Sequence, residues 1–213
     1  MIIAILGAES TGKTTLARQL AQRLQARGLR TAVVAEFLRE FCDREGRTPR
    51  PDEQAGIADE QWRRIEAARL DADIVVADTT PLMIAVYSDY VFGDTTLYDA
   101  ALARQQHCTH TLLTGLDLPW QPDGLQRDGP QVRGPVDALI RGALQRAALP
   151  FAVIYGEGEA RTDAALAALA LSPSGAPPAD TPPPRLRSRC RECLVPDCEH
   201  LQGLLPRAAQ RQP

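Results

Sequence analysis

Short apolar runs alternate with longer segments of mixed polarity along residues 2–156. The runs are rich in Val, Ile and Leu, which is typical of strands buried on both faces of a parallel sheet. The segments between them carry helical patterns. This alternation predicts an α/β fold with a five-stranded, mostly parallel sheet and helices on both faces. The predicted strands are IIAIL (2–6), TAVVAE (31–36), ADIVVAD (72–78), HTLLTG (110–115) and FAVIYG (151–156).

The first and last predicted helices follow from side-chain spacing and composition. Leu16, Leu20 and Leu24 stand four residues apart and form one apolar stripe, and Gly28 follows as a stop signal. An alanine-rich segment over 159–170 predicts the last helix.

The composition changes after residue 171. Residues 172–184, SPSGAPPADTPPP, contain six prolines, which is typical of an extended or disordered linker. The sequence therefore predicts a folded domain over 1–171, a linker over 172–184 and a small tail over 185–213 that is rich in Arg and Cys.

Length and charge limit the kind of protein. With 213 residues, of which 44% are hydrophobic, the chain suits one medium α/β domain with a small appendage. A net charge of −3 argues against a whole-domain nucleic-acid surface. No stretch approaches about 18 apolar residues and the first strand begins at the N-terminus, so we expect no membrane span, no signal peptide and a cytoplasmic location. The sequence indicates no oligomeric state.

The first strand leads into a glycine loop that fits the pattern G-x-x-x-x-G-K-[ST]. In such a loop, backbone N–H groups face the phosphates of a nucleotide, and the following helix adds its positive N-terminus. The lysine reaches the β- and γ-phosphates, and the Thr14 hydroxyl is a ligand of Mg²⁺. We therefore expect ATP and Mg²⁺ as cofactors. The predicted nucleotide-binding residues are Gly7, Ser10, Thr11, Gly12, Lys13, Thr14 and Thr15.

Lys13 is the only lysine among 24 basic residues. A chain that uses arginine everywhere else keeps its one ammonium group where a compact point charge suits a phosphate. This placement supports the interpretation of the loop and a catalytic role for Lys13.

Two acidic residues stand at the ends of predicted strands. Ligands of open α/β sheets gather outside the carboxyl ends of the strands, so both are candidate catalytic residues. Asp78 ends a strand of the type that carries the Walker B aspartate, which holds the Mg²⁺ shell or a catalytic water. Glu36 ends the preceding strand. Alternatively, Asp78 caps the next helix and Glu36 is an acid of a first helical turn.

A long polar segment, 115–136, follows the fourth strand and is rich in Gly, Pro, Asp and Arg. Such segments commonly form a binding loop or a lid. Arg127 and Arg133 are candidates to close over the phosphates and neutralise transition-state charge, or they are solvated surface arginines. Trp120 either packs at the base of the loop or stacks on a flat ring.

Together these segments resemble the ribosylnicotinamide kinase domain of the bacterial NadR family, a P-loop kinase group akin to AAA-type ATPases. The resemblance implies a parallel sheet with the Walker B strand beside the P-loop strand. It also implies transfer of the ATP γ-phosphate to the ribose 5′-hydroxyl of nicotinamide riboside, giving NMN, in NAD biosynthesis. The segments that carry it are GAESTGKTTLARQLA, VVAEFLREF, VVADTTPLMIAVYSDYVFG, LLTGLDLPWQPDGLQRDG and FAVIYGEGEAR, within residues 1–170.

The resemblance implies further residue roles. Arg127 belongs to the lid, and Arg161 lies near the adenine end of the nucleotide. The best-known family members carry an adenylyltransferase domain upstream, so only the kinase half is expected here. The residues implied for the riboside site and its acceptor side are Glu36, Asp78, Asp117, Trp120 and Asp123.

Two functions compete on this evidence. A kinase needs a pocket that excludes water and a carboxylate near the acceptor hydroxyl, and the strand-end acids and the loop supply candidates for both. A stand-alone P-loop ATPase acting as a regulatory switch does not need the second carboxylate. The sequence favours a kinase that phosphorylates a small-molecule nucleoside, without fixing the acceptor.

The tail contains a compact cluster of possible metal ligands, Cys190, Cys193, Cys198 and His200. A C-x-x-C pair with a third Cys and a His suits Zn²⁺, although unligated or redox-active thiols and an iron–sulfur centre are alternatives. The odd total of five cysteines is not typical of a secreted disulfide framework. Cys42 and Cys108 are isolated thiols.

Overall fold

The five apolar runs form one sheet in the computed structural model, which describes residues 1–121 and 129–169. The strand order is β2-β3-β1-β4-β5, and every pair of neighbours is parallel. The α/β prediction is confirmed, including the Walker B strand beside the P-loop strand. The strands are β1 (Ile2–Leu6), β2 (Thr31–Val34), β3 (Ile74–Asp78), β4 (His110–Thr114) and β5 (Ala152–Ile154).

Four strands are shorter than the apolar runs that predicted them, and β4 ends only one residue early, at Thr114. β2 ends at Val34 because the chain turns at Glu36 to begin a helix. β3 begins at Ile74, two residues late. β5 is a three-residue edge strand, since the chain leaves the sheet before Gly156, whose φ of 96° lies in the left-handed region.

Seven α-helices occur within the described ranges, and the last two differ from expectation. The final helix covers Gly158–Ala168 instead of 159–170. The segment 115–136 is not a loop throughout, because a 3₁₀ turn at Pro130–Val132 leads directly into a helix at Arg133. The helices are α1 (Lys13–Gln25), α2 (Phe37–Glu45), α3 (Gln54–Ala68), α4 (Pro81–Phe92), α5 (Tyr98–Gln105), α6 (Arg133–Arg146) and α7 (Gly158–Ala168).

Helices cover both faces of the sheet. On one face, α1 and α7 pack against β1, β3, β4 and β5. The predicted stripe of Leu16, Leu20 and Leu24 is fully buried there, and burying each leucine stabilises the fold by about 1.5–3 kcal/mol. On the other face, α3 packs near β2 and β3, and α4, α5 and α6 pack around Leu6 and Leu113.

The parallel strands bring the five chain turns that follow them to one edge of the sheet. β1 lies at the centre between β3 and β4, so the turn after it lies between those that follow its neighbours. In parallel sheets the carboxyl ends of all strands point to the same edge, which is where ligands bind. No helix among the described residues has the length and apolar character needed to cross a membrane.

Candidate active site

The turn after β1 is a phosphate-binding loop whose glycines are required by its shape. Gly7 has a φ of 153°, and a Cβ added there would lie 1.9 Å from the Thr114 hydroxyl oxygen. Gly12 has a φ of 77° and is the N-cap of α1. Both positions therefore need glycine for backbone freedom, and Gly7 also because β4 lies so close.

Buried hydroxyl groups hold this loop from below. Thr11 donates a hydrogen bond to the Ala8 carbonyl at 2.7 Å, and its hydroxyl oxygen lies 2.7 Å from that of Thr114. Thr114 in turn donates to the Leu6 carbonyl at 3.1 Å. The side chain of Thr11, predicted to bind nucleotide, thus supports the loop, which leaves its backbone N–H for a phosphate.

The loop is also connected to the segment after β4. Ser10, a non-glycine residue with a φ of 54°, accepts a hydrogen bond from the Gln121 N–H at 2.8 Å. Its hydroxyl donates to the Gln121 carbonyl at 3.2 Å. Ser10, Lys13, Thr14 and Thr15 line a groove of about 640 Å³ along the start of α1.

The two residues predicted to bind Mg²⁺, Asp78 and Thr14, lie side by side. The register of β1 against β3 pairs Ile5 with Asp78, which brings the carboxylate beside the loop. Thr14 donates to Asp78 Oδ2 at 2.6 Å, and Asp78 is only 2% exposed. Its Oδ1 is buried with no hydrogen-bond partner among the described residues. A buried carboxylate oxygen beside a hydroxyl oxygen is a donor set that fits Mg²⁺.

The structure gives the position of each strand-end acid relative to the helix that follows it. Asp78 does not cap the helix that follows, because Thr80 is the N-cap of α4. Glu36 is the N-cap of α2, one residue before the first turn, and makes no side-chain capping hydrogen bond. Glu36 instead lines two cavities that meet beside the phosphate loop.

Two cavities meet beside the phosphate loop. The first is the groove described above. The second, of about 350 Å³, extends between α2, α4 and the turn before α3. Lys13, Glu36 and Arg39 line both cavities. A group held in the second cavity would therefore approach a phosphate held in the groove at these three side chains.

Glu9 is a candidate site residue that sequence reasoning missed. It occupies a variable position of the glycine loop, is only 6% exposed and lines the second cavity with Lys13 and Glu36. A negatively charged residue is unusual inside a loop that binds anions, and this charge was the signal in the sequence that could have identified Glu9.

Asp117 and Arg161 form an ion pair away from the second cavity. Arg161 is 3% exposed and donates to the carbonyls of Thr11 at 2.9 Å and Gly156 at 2.5 Å, and to Asp117 Oδ1 at 3.1 Å. It thereby joins the phosphate loop to the turns after β4 and β5. Neither residue lines either of the two cavities described above, and the roles expected of Asp117 on the acceptor side and of Arg161 near the adenine end stay predictions.

The surroundings of Asp117 change its acidity. Burial raises the pKa of this carboxyl, but hydrogen bonds from the Gly156 N–H and from Arg161 outweigh that effect and lower the pKa below its ordinary value. Asp117 is thus a charged anchor for Arg161, which explains how a buried guanidinium is accommodated.

The remaining candidates in 115–136 have different outcomes. Arg133 begins α6, is 8% exposed and donates to the Leu116 carbonyl at 3.2 Å, so it is not a solvated arginine and its catalytic role remains a prediction. Trp120 is half-buried and lines neither cavity formed by the described residues, which favours packing over stacking. Asp123 and Arg127 lie outside the described residues.

The predicted zinc ligands Cys190, Cys193, Cys198 and His200 also lie outside the described residues. Within 1–121 and 129–169, no group of three or more His, Cys, Asp or Glu side chains is placed to hold a metal ion. The zinc site therefore remains a prediction about the tail.

Comparison with known proteins agrees with this geometry. A family model for an AAA domain matches residues 2–161. A search of curated proteins finds no match. Among solved structures, NadR in complex with NR has a TM-score of 0.61 at 20% identity, covering 79% of this chain and 49% of that one. The chain thus spans about half of the NadR chain, and the resemblance seen in the motifs is confirmed at the level of the fold.

Two further structures share the fold over their whole length. Deoxyadenosine kinase from M. mycoides with bound dATP has a TM-score of 0.53 at 12% identity, covering 80% of this chain and 100% of that one. Thymidylate kinase from Ehrlichia chaffeensis has a TM-score of 0.56 at 14% identity, covering 80% and 97%.

Proposed function

The chain belongs to the AAA domain family, and we propose that it is an ATP-dependent kinase for a small-molecule acceptor. It transfers the γ-phosphate of ATP to the ribose 5′-hydroxyl of a nucleoside. Nicotinamide riboside, which would yield NMN for NAD biosynthesis, is the first acceptor to test, since NadR with NR bound shares this fold.

The observation that carries the proposal is the meeting of two cavities at Lys13, Glu36 and Arg39. An ATPase that transfers phosphate to water needs only the groove along the phosphate loop. A second cavity of about 350 Å³ that opens beside Lys13 has the size of a small-ligand site. Its walls combine apolar and aromatic side chains with polar ones, which suits a flat base attached to a sugar. They include Leu38, Met83, Tyr87, Phe92, Thr48 and Gln54.

The groove residues bind and orient the triphosphate. Backbone N–H groups of the glycine loop and the start of α1 face the phosphates, and Lys13 places its positive charge where the γ-phosphate lies. Lys13 Nζ donates to the Ala8 carbonyl at 3.0 Å, so a bound phosphate replaces that neutral acceptor with an anionic one. Thr14 and Asp78 would hold Mg²⁺, which would supply positive charge to the phosphates.

Glu36 is the proposed general base. It accepts the proton of the acceptor hydroxyl as that oxygen bonds to the γ-phosphorus and the bond from phosphorus to the β,γ-bridging oxygen breaks, releasing ADP. Arg39 lies one turn further along α2 and offers a cation to the phosphate in transit. Glu9 adds a second carboxylate on the acceptor side, where it can accept hydrogen bonds from ribose hydroxyls.

A product assay tests the proposal. We expect protein, Mg·ATP and nicotinamide riboside to yield NMN by mass spectrometry, with other nucleosides screened in parallel for stimulated ADP release. Lys13→Ala should abolish turnover while the protein stays folded, because the side chain acts through its charge. Arg30→Ala, which removes a cation from the exposed ion pair with Asp73, is the matched control and should keep full activity. ADP release at the same rate with and without any nucleoside would favour the ATPase alternative.

A further inference from the structure

A buried glutamine on α3 lies behind both strand-end carboxylates. Gln61 has no exposed surface, although it lines neither cavity. A polar side chain buried to this extent needs hydrogen-bond partners, and each lost partner is costly. The partners of Gln61 are backbone groups next to Glu36 and Asp78.

The amide contacts the chain on both sides of Glu36 and directly after Asp78. Its Oε1 accepts a hydrogen bond from the Phe37 N–H at 2.7 Å. Its Nε2 donates to the Ala35 carbonyl at 3.3 Å and to the Thr79 carbonyl at 3.4 Å. One side chain therefore uses its oxygen and its nitrogen to connect the turn after β2 to the turn after β3.

These contacts begin where the pairing of β2 with β3 ends. The last residues of these two strands that pair with each other are Val34 and Ala77, so beyond them no ladder hydrogen bond joins β2 to β3. Thr79 also has a φ of 73°, which is strained for a β-branched residue and persists only where the surroundings fix it. Gln61 supplies part of that restraint.

We propose that Gln61 is a positioning residue that fixes Glu36 relative to Asp78. The inference rests on the proposed kinase function, in which Glu36 accepts a proton from a hydroxyl beside a phosphate whose metal ion Asp78 holds. Misplacing a catalytic group by about 1 Å costs on the order of 100-fold in rate. Without the Gln61 amide, the hydrogen bonds that connect the turns after β2 and β3 are lost, so the distance between Glu36 and Asp78 is no longer fixed.

A second buried glutamine provides the matched control. Gln105 is 2% exposed, accepts a hydrogen bond from the Thr80 hydroxyl at 2.7 Å and donates to the Thr111 hydroxyl at 2.9 Å. It resembles Gln61 in burial and in using both the oxygen and the nitrogen of its amide, but none of these hydrogen bonds reaches the turn that carries Glu36.

The test compares Gln61→Met with Gln105→Met in the full chain. We expect Gln61→Met to lower kcat about 10–100-fold, with the KM for ATP changed less than about threefold. Gln105→Met should lower kcat less than about threefold, even if its Tm falls as far as the Tm of Gln61→Met. Gln61→Asn, which keeps an amide but is too short to reach all three partners, repeats the test if the methionine variant does not fold. Equal kcat losses in the Gln61 and Gln105 variants would overturn the inference.

Amide hydrogen exchange tests the inference independently of any acceptor. In the Gln61 variants the Phe37 amide loses its acceptor, so its exchange should accelerate by about tenfold or more beyond that of core amides in β1. In Gln105→Met, the exchange rate of the Phe37 amide should change no more than the exchange rates of the core amides in β1. If wild-type protein phosphorylates no nucleoside, the proposed function fails, and this measurement alone decides about Gln61. Exchange at Phe37 that follows the core in the Gln61 variants would then reject the positioning role.

Discussion

At the scale of single residues, Glu36 and Asp78 have the same functional group but different surroundings. Asp78 is buried, bonded to Thr14 and part of the phosphate side of the site. Glu36 lies at the start of α2, where the two cavities meet. The first environment suits a metal ligand and the second suits a group that exchanges a proton with an acceptor.

Substitution should separate these two roles. Asp78→Asn keeps an oxygen for the Thr14 hydroxyl but removes the charge, so we expect the Mg²⁺ concentration for half-maximal turnover to rise about 10–100-fold and turnover to fall with it. Glu36→Gln should lower kcat about 10²–10⁴-fold, the usual contribution of a general base, with little effect on ATP affinity. Steady-state kinetics and calorimetric ATP binding check both. Equal loss of ATP affinity in the two variants would show that Glu36 belongs to the nucleotide side.

Residues whose function follows from a local motif could be predicted from the sequence. Lys13, Thr14 and Asp78 belong to this group, because a loop pattern or a strand end identifies them. For Glu9 the signal was a negative charge inside the glycine loop, and Gln61 offered none, since the contacts of both residues depend on which distant backbone or cavity they face. The ion pair of Asp117 with Arg161 could not be predicted for the same reason, because the two residues are 44 positions apart in the chain.

At the scale of elements, hydrophobic periodicity was sufficient for the existence of all five strands but not for their ends. β2 and β5 stop where the chain must turn, although the apolar run continues. The segment 115–136 was predicted as a loop because Gly and Pro dominate its composition. Proline is tolerated in the first turn of a helix, and α6 begins at Arg133 with Pro135 inside that first turn.

The turns after β4 and β5 are held together by Asp117 and Arg161, and this connection should depend on pH. Because folding lowers the pKa of Asp117, its carboxylate stabilises the fold at pH values above its ordinary pKa of 3.8. That contribution is lost as the pH falls through the lower pKa of the folded state. Asp117→Asn should therefore lower the free energy of unfolding by about 1–3 kcal/mol at pH 7, with the difference from wild type shrinking below the ordinary pKa.

Denaturant unfolding at several pH values checks this prediction. Asp163→Asn is the control, because Asp163 pairs with Arg23 at the surface, and it should cost less than about 1 kcal/mol. A cost for Asp117→Asn that stays constant from neutral to acidic pH would contradict a role for the charge.

At the scale of the whole molecule, the sheet, both cavities and the contacts that support them lie within residues 1–169. The AAA domain match ends at residue 161, before the proline-rich segment. Sequence composition predicts a domain boundary near residue 171, and the cysteine cluster beyond it suggests a metal site. Four ligands within a short segment can substitute for a hydrophobic core, because thiolate–metal bonds supply folding energy.

We therefore expect a chain ending at Leu171 to fold and to bind ATP with unchanged affinity. Elemental analysis of the full chain, purified under reducing conditions without chelator, should give about one zinc ion per chain. Changing Cys190 and Cys193 to Ser should release that metal without altering turnover. Absence of metal would reject the zinc site, and loss of ATP binding on truncation would reject the independence of the tail.

The central position of β1 has a consequence for how the protein is made. The phosphate loop is synthesised before the residues that hold Thr11 in place, because Thr114 and Arg161 lie 103 and 150 residues later. At a translation rate of about 5–20 residues per second, that delay is roughly 7–30 s. During this time the emerging loop has neither the strand below it nor the arginine beside it. A nascent chain should therefore acquire its affinity for ATP only after α7 has left the ribosome, and cellular ATP would stabilise finished molecules and not their precursors.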